Sequence, residues 1–128
     1  MNKWAAVAAV FGMLGVVIGA FGAHGIKPQI TQASYEQYQT GVLYHFLHAI
    51  ILFVVAINLQ GQSHLIAIVK WSLTLGILCF SGSLYLIATK ELTGLSTSIL
   101  GPITPVGGIF FILAWVLLAY YFFKPKIN

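Results

Sequence analysis

The sequence contains no arginine and no aspartate; its charged side chains are six lysines and two glutamates, Glu36 and Glu91. Charged residues make up 6% of the 128 positions, against roughly a quarter in a soluble domain, so most of this surface does not face water. Without aspartate there is no Ser-His-Asp set, and no paired carboxylates or His-Glu-x-x-His pattern stands in for it, which excludes the familiar hydrolytic constellations. The chain is therefore read as a non-enzyme. The single cysteine, Cys79, excludes an internal disulfide and a cysteine-based zinc site. Among apolar residues a free thiol behaves as a small hydrophobe. No internal repeat is visible, which weighs against a transporter built from inverted halves.

Hydrophobic residues fill 59% of the chain and the mean hydropathy is +0.95. Four apolar runs approach the roughly 20 residues that cross a hydrocarbon core: about 4–23, 42–59, 65–89 and 105–123. Turn chemistry separates them: Gly25 and Pro28 in the first break, Gln60-Gly61-Gln62-Ser63 in the second, Gly94, Gly101 and Pro102 in the third. The expected fold is a single transmembrane domain over 1–128, an all-α, antiparallel up-down four-helix bundle. Ala20-Phe21-Gly22 would pass as a signal-peptide cleavage site, but the first run is read as a retained span.

The net charge of +4 does not indicate nucleic acid, because the lysines are scattered singly at the ends of apolar runs, as membrane anchors are. Lys3, Lys70, Lys124 and Lys126 fall on the side of the chain ends, and Lys27 and Lys90 on the other. By the positive-inside rule both termini are expected in the cytoplasm. Trp4, Trp71, Tyr120 and Tyr121 suit an inner aromatic belt.

Helices in lipid associate through close packing and polar contacts. On the first span Ala5, Ala8, Gly12, Gly15, Gly19 and Gly22 form a seam at alternating spacings of three and four, with Gly15 and Gly19 as a GxxxG pair. The second carries Ser34, Tyr38, Gly41, His45, His48 and Leu52 in the same rhythm, and Ser34-x-x-Gln37 resembles a capping box. The third carries Ser72, Gly76, Cys79 and Ser83. The expected packing glycines are Gly12, Gly15, Gly19, Gly22 and Gly76, with intramolecular packing favoured over a homo-oligomer.

Polar groups inside a membrane mark function by default. His45 and His48 share a helix face and, with His24 at the outer end of the first span, are the candidate metal or haem ligands. The plainer readings are buried, hydrogen-bonded rings for the pair and a helix C-terminal cap for His24. Ser81, Ser83 and Tyr85 are expected at a matching depth, where serines can also bond back to their own helix. In Gly101-Pro102-Ile103-Thr104-Pro105-Val106-Gly107-Gly108 the two prolines are expected to stop a helix, leaving a lid or a rigid turn before the fourth span. Every polar motif is expected in the outer half of its helix. Together His24, Tyr44, His45, His48, Ser81, Ser83, Tyr85 and Thr104 would line an outward-facing pocket.

Four motifs in order, Gly19–Gly25, Tyr38–Ala49, Ser81–Tyr85 and Gly101–Gly108, resemble the YgdD-like family of small membrane proteins, domain of unknown function 423. The resemblance runs from Trp4 to Trp115 and implies a four-span protein of the bacterial plasma membrane. It implies no activity, substrate or catalytic residue. The favoured expectation is a binding or accessory protein, its partners the lipid bilayer and a homo-oligomer or another membrane protein. No cofactor is required by the sequence. The alternatives are a small transporter or channel subunit, disfavoured because neither glutamate lies in a span, and a histidine-based metal or haem protein.

Overall fold

A computed structural model describes residues 1–61 and 63–125; Lys126, counted above among the inner anchors, and Gln62 of the second turn lie outside them. Four helical runs are long and apolar enough to cross a membrane: α1 (Lys3–Gln29), α2 (Gln32–Asn58), α3 (His64–Ala88) and α5 (Leu100–Phe123). A single turn, α4 (Lys90–Thr93), sits between the last two. No strand occurs among the described residues.

The helix ends differ from the sequence expectation, and each difference has a local cause. α2 begins ten residues before the apolar run, because Thr31 caps it. The Thr31 hydroxyl oxygen accepts from the Ser34 backbone N–H at 3.2 Å and donates to the Ser34 hydroxyl at 3.0 Å. The cap is therefore Thr31, not Ser34. α5 begins at Leu100, so the proline segment is helix rather than lid or turn. Pro102 lies in the first turn, whose N–H groups have no intrahelical partner in any case, and only Pro105 sits deeper in the helix. α1 does not stop at Ala23: it widens into a π turn over Gly22–Ile26 and closes with a 3₁₀ turn over Lys27–Gln29.

A second π turn, Ile77–Ser81, interrupts α3. Its extra residue shifts the register, so the buried face passes from Gly76 and Ile77 to Ser81 and Ser83. Cys79, expected in the seam, ends half-buried.

The middle two helices form the centre. Half of α3's apolar window (50%) is buried, against 17% for α1 and 22% for α5, so the outer pair gives most of its surface to lipid. α1 packs chiefly on α2, and α5 on α3. Toward the chain ends the core is built around Leu52, Ile66, Val69 and Leu73. Asn2 secures this end: its Oδ1 caps α1 through the Ala5 N–H at 3.1 Å, and its Nδ2 donates to the Ala56 carbonyl at 2.8 Å. Trp4 and Trp71 meet edge to face at 5.1 Å. Lys70 is buried, with Nζ 3.5 Å from the Leu59 carbonyl at the C-terminus of α2, where the helix dipole favours a cation.

Candidate functional site

The α1 seam faces α2, and its glycines have a specific use. A Cβ at Gly22 would overlap the ring of Tyr38; one at Gly15 would lie 3.1 Å from Phe46 and 3.6 Å from His45, and one at Gly19 3.2 Å from Val42. The missing side chains let α2 reach the α1 backbone. The Tyr38 hydroxyl donates to the Ile18 carbonyl at 2.7 Å, and His45 Nε2 bonds the Phe11 carbonyl at 2.8 Å. In both cases the acceptor belongs to the residue four before the glycine. Gly12 departs from the expectation: nothing lies within 4 Å of the position a Cβ would take.

All four nitrogens of the two imidazoles are paired. A carbonyl only accepts, so His45 carries its proton on Nε2, and its Nδ1 lone pair faces the Tyr85 hydroxyl at 3.0 Å. His48 is the opposite tautomer: Nδ1 donates to the Tyr44 carbonyl at 2.7 Å, and Nε2 accepts from the Trp115 indole N–H at 3.3 Å. An indole nitrogen is a donor only, so this Nε2 holds a lone pair. His48 also stacks on Phe111, with centroids 3.6 Å apart. The rings point to different neighbours, His45 to α1 and α3, His48 to α5.

The remaining polar candidates are also engaged. Ser81, fully buried, donates to the Gly41 carbonyl of α2 at 2.7 Å. Ser83 donates to its own helix at Phe80 at 2.9 Å, so the 2.6 Å contact with Thr104 has the threonine as donor. The α3–α5 approach there is at backbone distance, since a Cβ at Gly107 would collide with the Phe80 backbone nitrogen. Gly76 performs the same service for the ring of Phe111. Among the described residues no buried side-chain nitrogen or oxygen lacks a partner.

His24 is exposed at the α1 π turn and does not join the others. Among the described residues no three His, Cys, Asp or Glu side chains come together to hold a metal, so the convergence of His24, His45 and His48 does not occur. Nor is the polar set wholly in the half away from the chain ends. Ser81, Ser83, Tyr85 and Thr104 are, but His45 lies midway between the ends of α2, and His48 is one turn nearer the chain ends. Tyr44 is 39% exposed.

That exposure opens onto a groove between α2 and α5. Its part farther from the chain ends, about 430 Å³, runs past Tyr44, Leu47, Phe80, Gly108 and Ile112. Trp115, tied to His48, lines this part and also the next, about 400 Å³, walled by Val54, Leu118 and Phe122 and showing no polar atom. Leu59 and Phe122 then lead into a cleft of about 690 Å³ beside Ser63, His64 and Lys124. Sequence reasoning missed this feature and the partners Phe11, Trp115 and Asn2. Trp115 alone left a signal, an amphipathic side chain where a plain apolar one would serve.

A family model described as "Protein of unknown function (DUF423)" matches residues 18–108. The chain is 38% identical to the UPF0382 membrane protein YwdK of Bacillus subtilis, over 92% of this chain and 94% of the relative. It is 34% identical to a UPF0382 membrane protein of Haemophilus influenzae, over 98% and 97%, and 33% identical to the UPF0382 inner membrane protein YgdD of Escherichia coli, over 87% and 82%. No solved structure matches the chain. With four membrane-length helices and a family match over most of its length, the chain is a multi-pass membrane protein and belongs to the DUF423 family.

Proposed function

We propose that this chain is a non-enzymatic binding or accessory protein of the plasma membrane, both termini cytoplasmic, and that it works through the groove between α2 and α5. The supporting observation is that, among the described residues, every buried side-chain nitrogen and oxygen has a partner. Side chains that would otherwise serve as ligands are occupied in joining helices, and the open surface lies where α2 and α5 stand apart. The name of the Escherichia coli relative as an inner membrane protein supports the location. The polar interior then acts as a rigid frame, and the bound molecule enters laterally from the bilayer.

The test is photocrosslinking in intact cells, with a benzophenone side chain placed at Leu47 or Ile112 in the groove, or at Val16 on the lipid face of α1. Discrete adducts at the groove positions and none at Val16 support the reading. The same adduct pattern at all three positions, or none at any, overturns it.

A further inference from the structure

Resting on the reading of the groove as a binding surface, we propose that its occupant is an anionic phospholipid of the leaflet nearest the chain ends. The headgroup sits in the cleft at Lys124 and one acyl chain lies in the apolar groove as far as Trp115.

Three observations carry this. The cleft holding Ser63, His64 and Lys124 and the apolar groove adjoin, both lined by Leu59 and Phe122, so a charged end and an apolar run lie side by side, as an amphiphile requires. The dimensions agree. From Lys124 to Trp115 the helix rises about 14 Å at about 1.5 Å per residue, close to one leaflet's half of a roughly 30 Å core. The Trp115 indole, held by His48, lines the groove at that depth. The charge is also of one sign. Lys124 lines the cleft, the buried Lys70 being turned to the Leu59 carbonyl, while Glu36 and Glu91 sit at the opposite end, near the start of α2 and in α4. A zwitterionic headgroup sets its own cation against its phosphate; a headgroup of net negative charge gains more from that lysine.

The probe is a brominated phospholipid, because bromine on the acyl chain quenches a tryptophan it touches. Trp4→Phe/Trp71→Phe leaves Trp115 as the sole tryptophan. This protein is placed in phosphatidylcholine vesicles containing a minor fraction of brominated phosphatidylglycerol or, separately, of brominated phosphatidylcholine. A lysine at the membrane surface confers about 1 kcal/mol on an anionic lipid, about a fivefold preference. The expected result is therefore stronger quenching by the brominated glycerol lipid, equivalent to about fivefold enrichment beside Trp115, falling to parity in Lys124→Gln.

The reference is a protein in which Met13→Trp supplies the only tryptophan, ten residues from Lys3 as Trp115 is nine from Lys124, on the open face of α1. If both lipids quench Trp115 equally, yet more than they quench the reference, the anionic headgroup is refuted and the groove reading stands. Quenching no greater than in the reference refutes both. A preference that survives Lys124→Gln refutes the placement of the headgroup.

Discussion

Gly107 and Gly108 are adjacent in α5 and should answer the same substitution with opposite signs. A Cβ at Gly107 would collide with the Phe80 backbone nitrogen and lie 2.7 Å from both the Phe80 Cα and Cβ, whereas at Gly108 the nearest atom is 3.8 Å away. No rotamer change relieves a clash with backbone, so Gly107→Ala must push α5 off α3. Overpacking of a core costs about 1–3 kcal/mol, and a rigid contact belongs at the upper end. Separation also breaks the Ser83–Thr104 bond, about 0.6 kcal/mol for an interhelical bond in a bilayer. Alanine's helix propensity returns up to about 1 kcal/mol, leaving a net loss of about 2–3 kcal/mol. At Gly108 that propensity acts alone in ordinary contact, so Gly108→Ala should be neutral or stabilise by up to about 1 kcal/mol. Unfolding in mixed micelles by stepwise addition of sodium dodecyl sulfate, followed by far-ultraviolet circular dichroism, measures both. If Gly107→Ala unfolds no earlier than Gly108→Ala, α3 and α5 do not touch at the second π turn.

Other outcomes follow from the same geometry. A double-mutant cycle of His48→Phe and Trp115→Phe should return a coupling of about 0.6–1.7 kcal/mol, and zero coupling would mean the indole does not donate to the imidazole. Nitrogen-15 spectra should find the proton of His45 on Nε2 and that of His48 on Nδ1; the same tautomer at both would contradict the assigned partners. On the proposed topology, a fluorescent protein fused at the C-terminus should glow and alkaline phosphatase inserted at Leu95 should be active, the reverse pattern inverting the topology. Tyr38→Leu/His45→Leu should keep its helix content while disulfides engineered between α1 and α2 spread over neighbouring registers; one unchanged register would remove those bonds from that role.

The packing faces were legible in the sequence to different degrees. Spacing alone identified the α2 stripe, since Ser34, Tyr38, Gly41, His45, His48 and Leu52 are all buried, and the seam of α1 for Gly15, Gly19 and Gly22. In α3 the spacing misled, because a π turn adds a residue that no side-chain pattern announces and moves Ser81 into the core in place of Cys79. The ends of α2 and α5 were misplaced for a related reason. Apolar content marks where lipid begins, whereas Thr31 and the first-turn Pro102 mark where the helix begins. The candidate site was legible as a set of residues but not as an arrangement. Tyr38, His45, Ser81 and His48 bond chiefly to backbone carbonyls of Ile18, Phe11, Gly41 and Tyr44. A carbonyl is present at every position, so its use as an acceptor leaves no trace in residue identity.

These bonds act on a register that the small-residue seam leaves loose. Gly15, Gly19 and Gly22 recur about once a turn, so α1 could slide along α2 and still offer it glycine. Tyr38 with Ile18 and His45 with Phe11 use pairs spaced seven residues apart on both helices, so a slip of part of a turn breaks both contacts together. A donor left unpaired in the interior costs about 1–3 kcal/mol. A slip of a whole turn, about 5.4 Å, would bring fresh carbonyls to both donors, and there the Tyr38 ring, seated where Gly22 has no side chain, decides. Burying an imidazole at the centre of a span, which by default suggests a ligand or a proton, is here accounted for by the need to fix one helix against another.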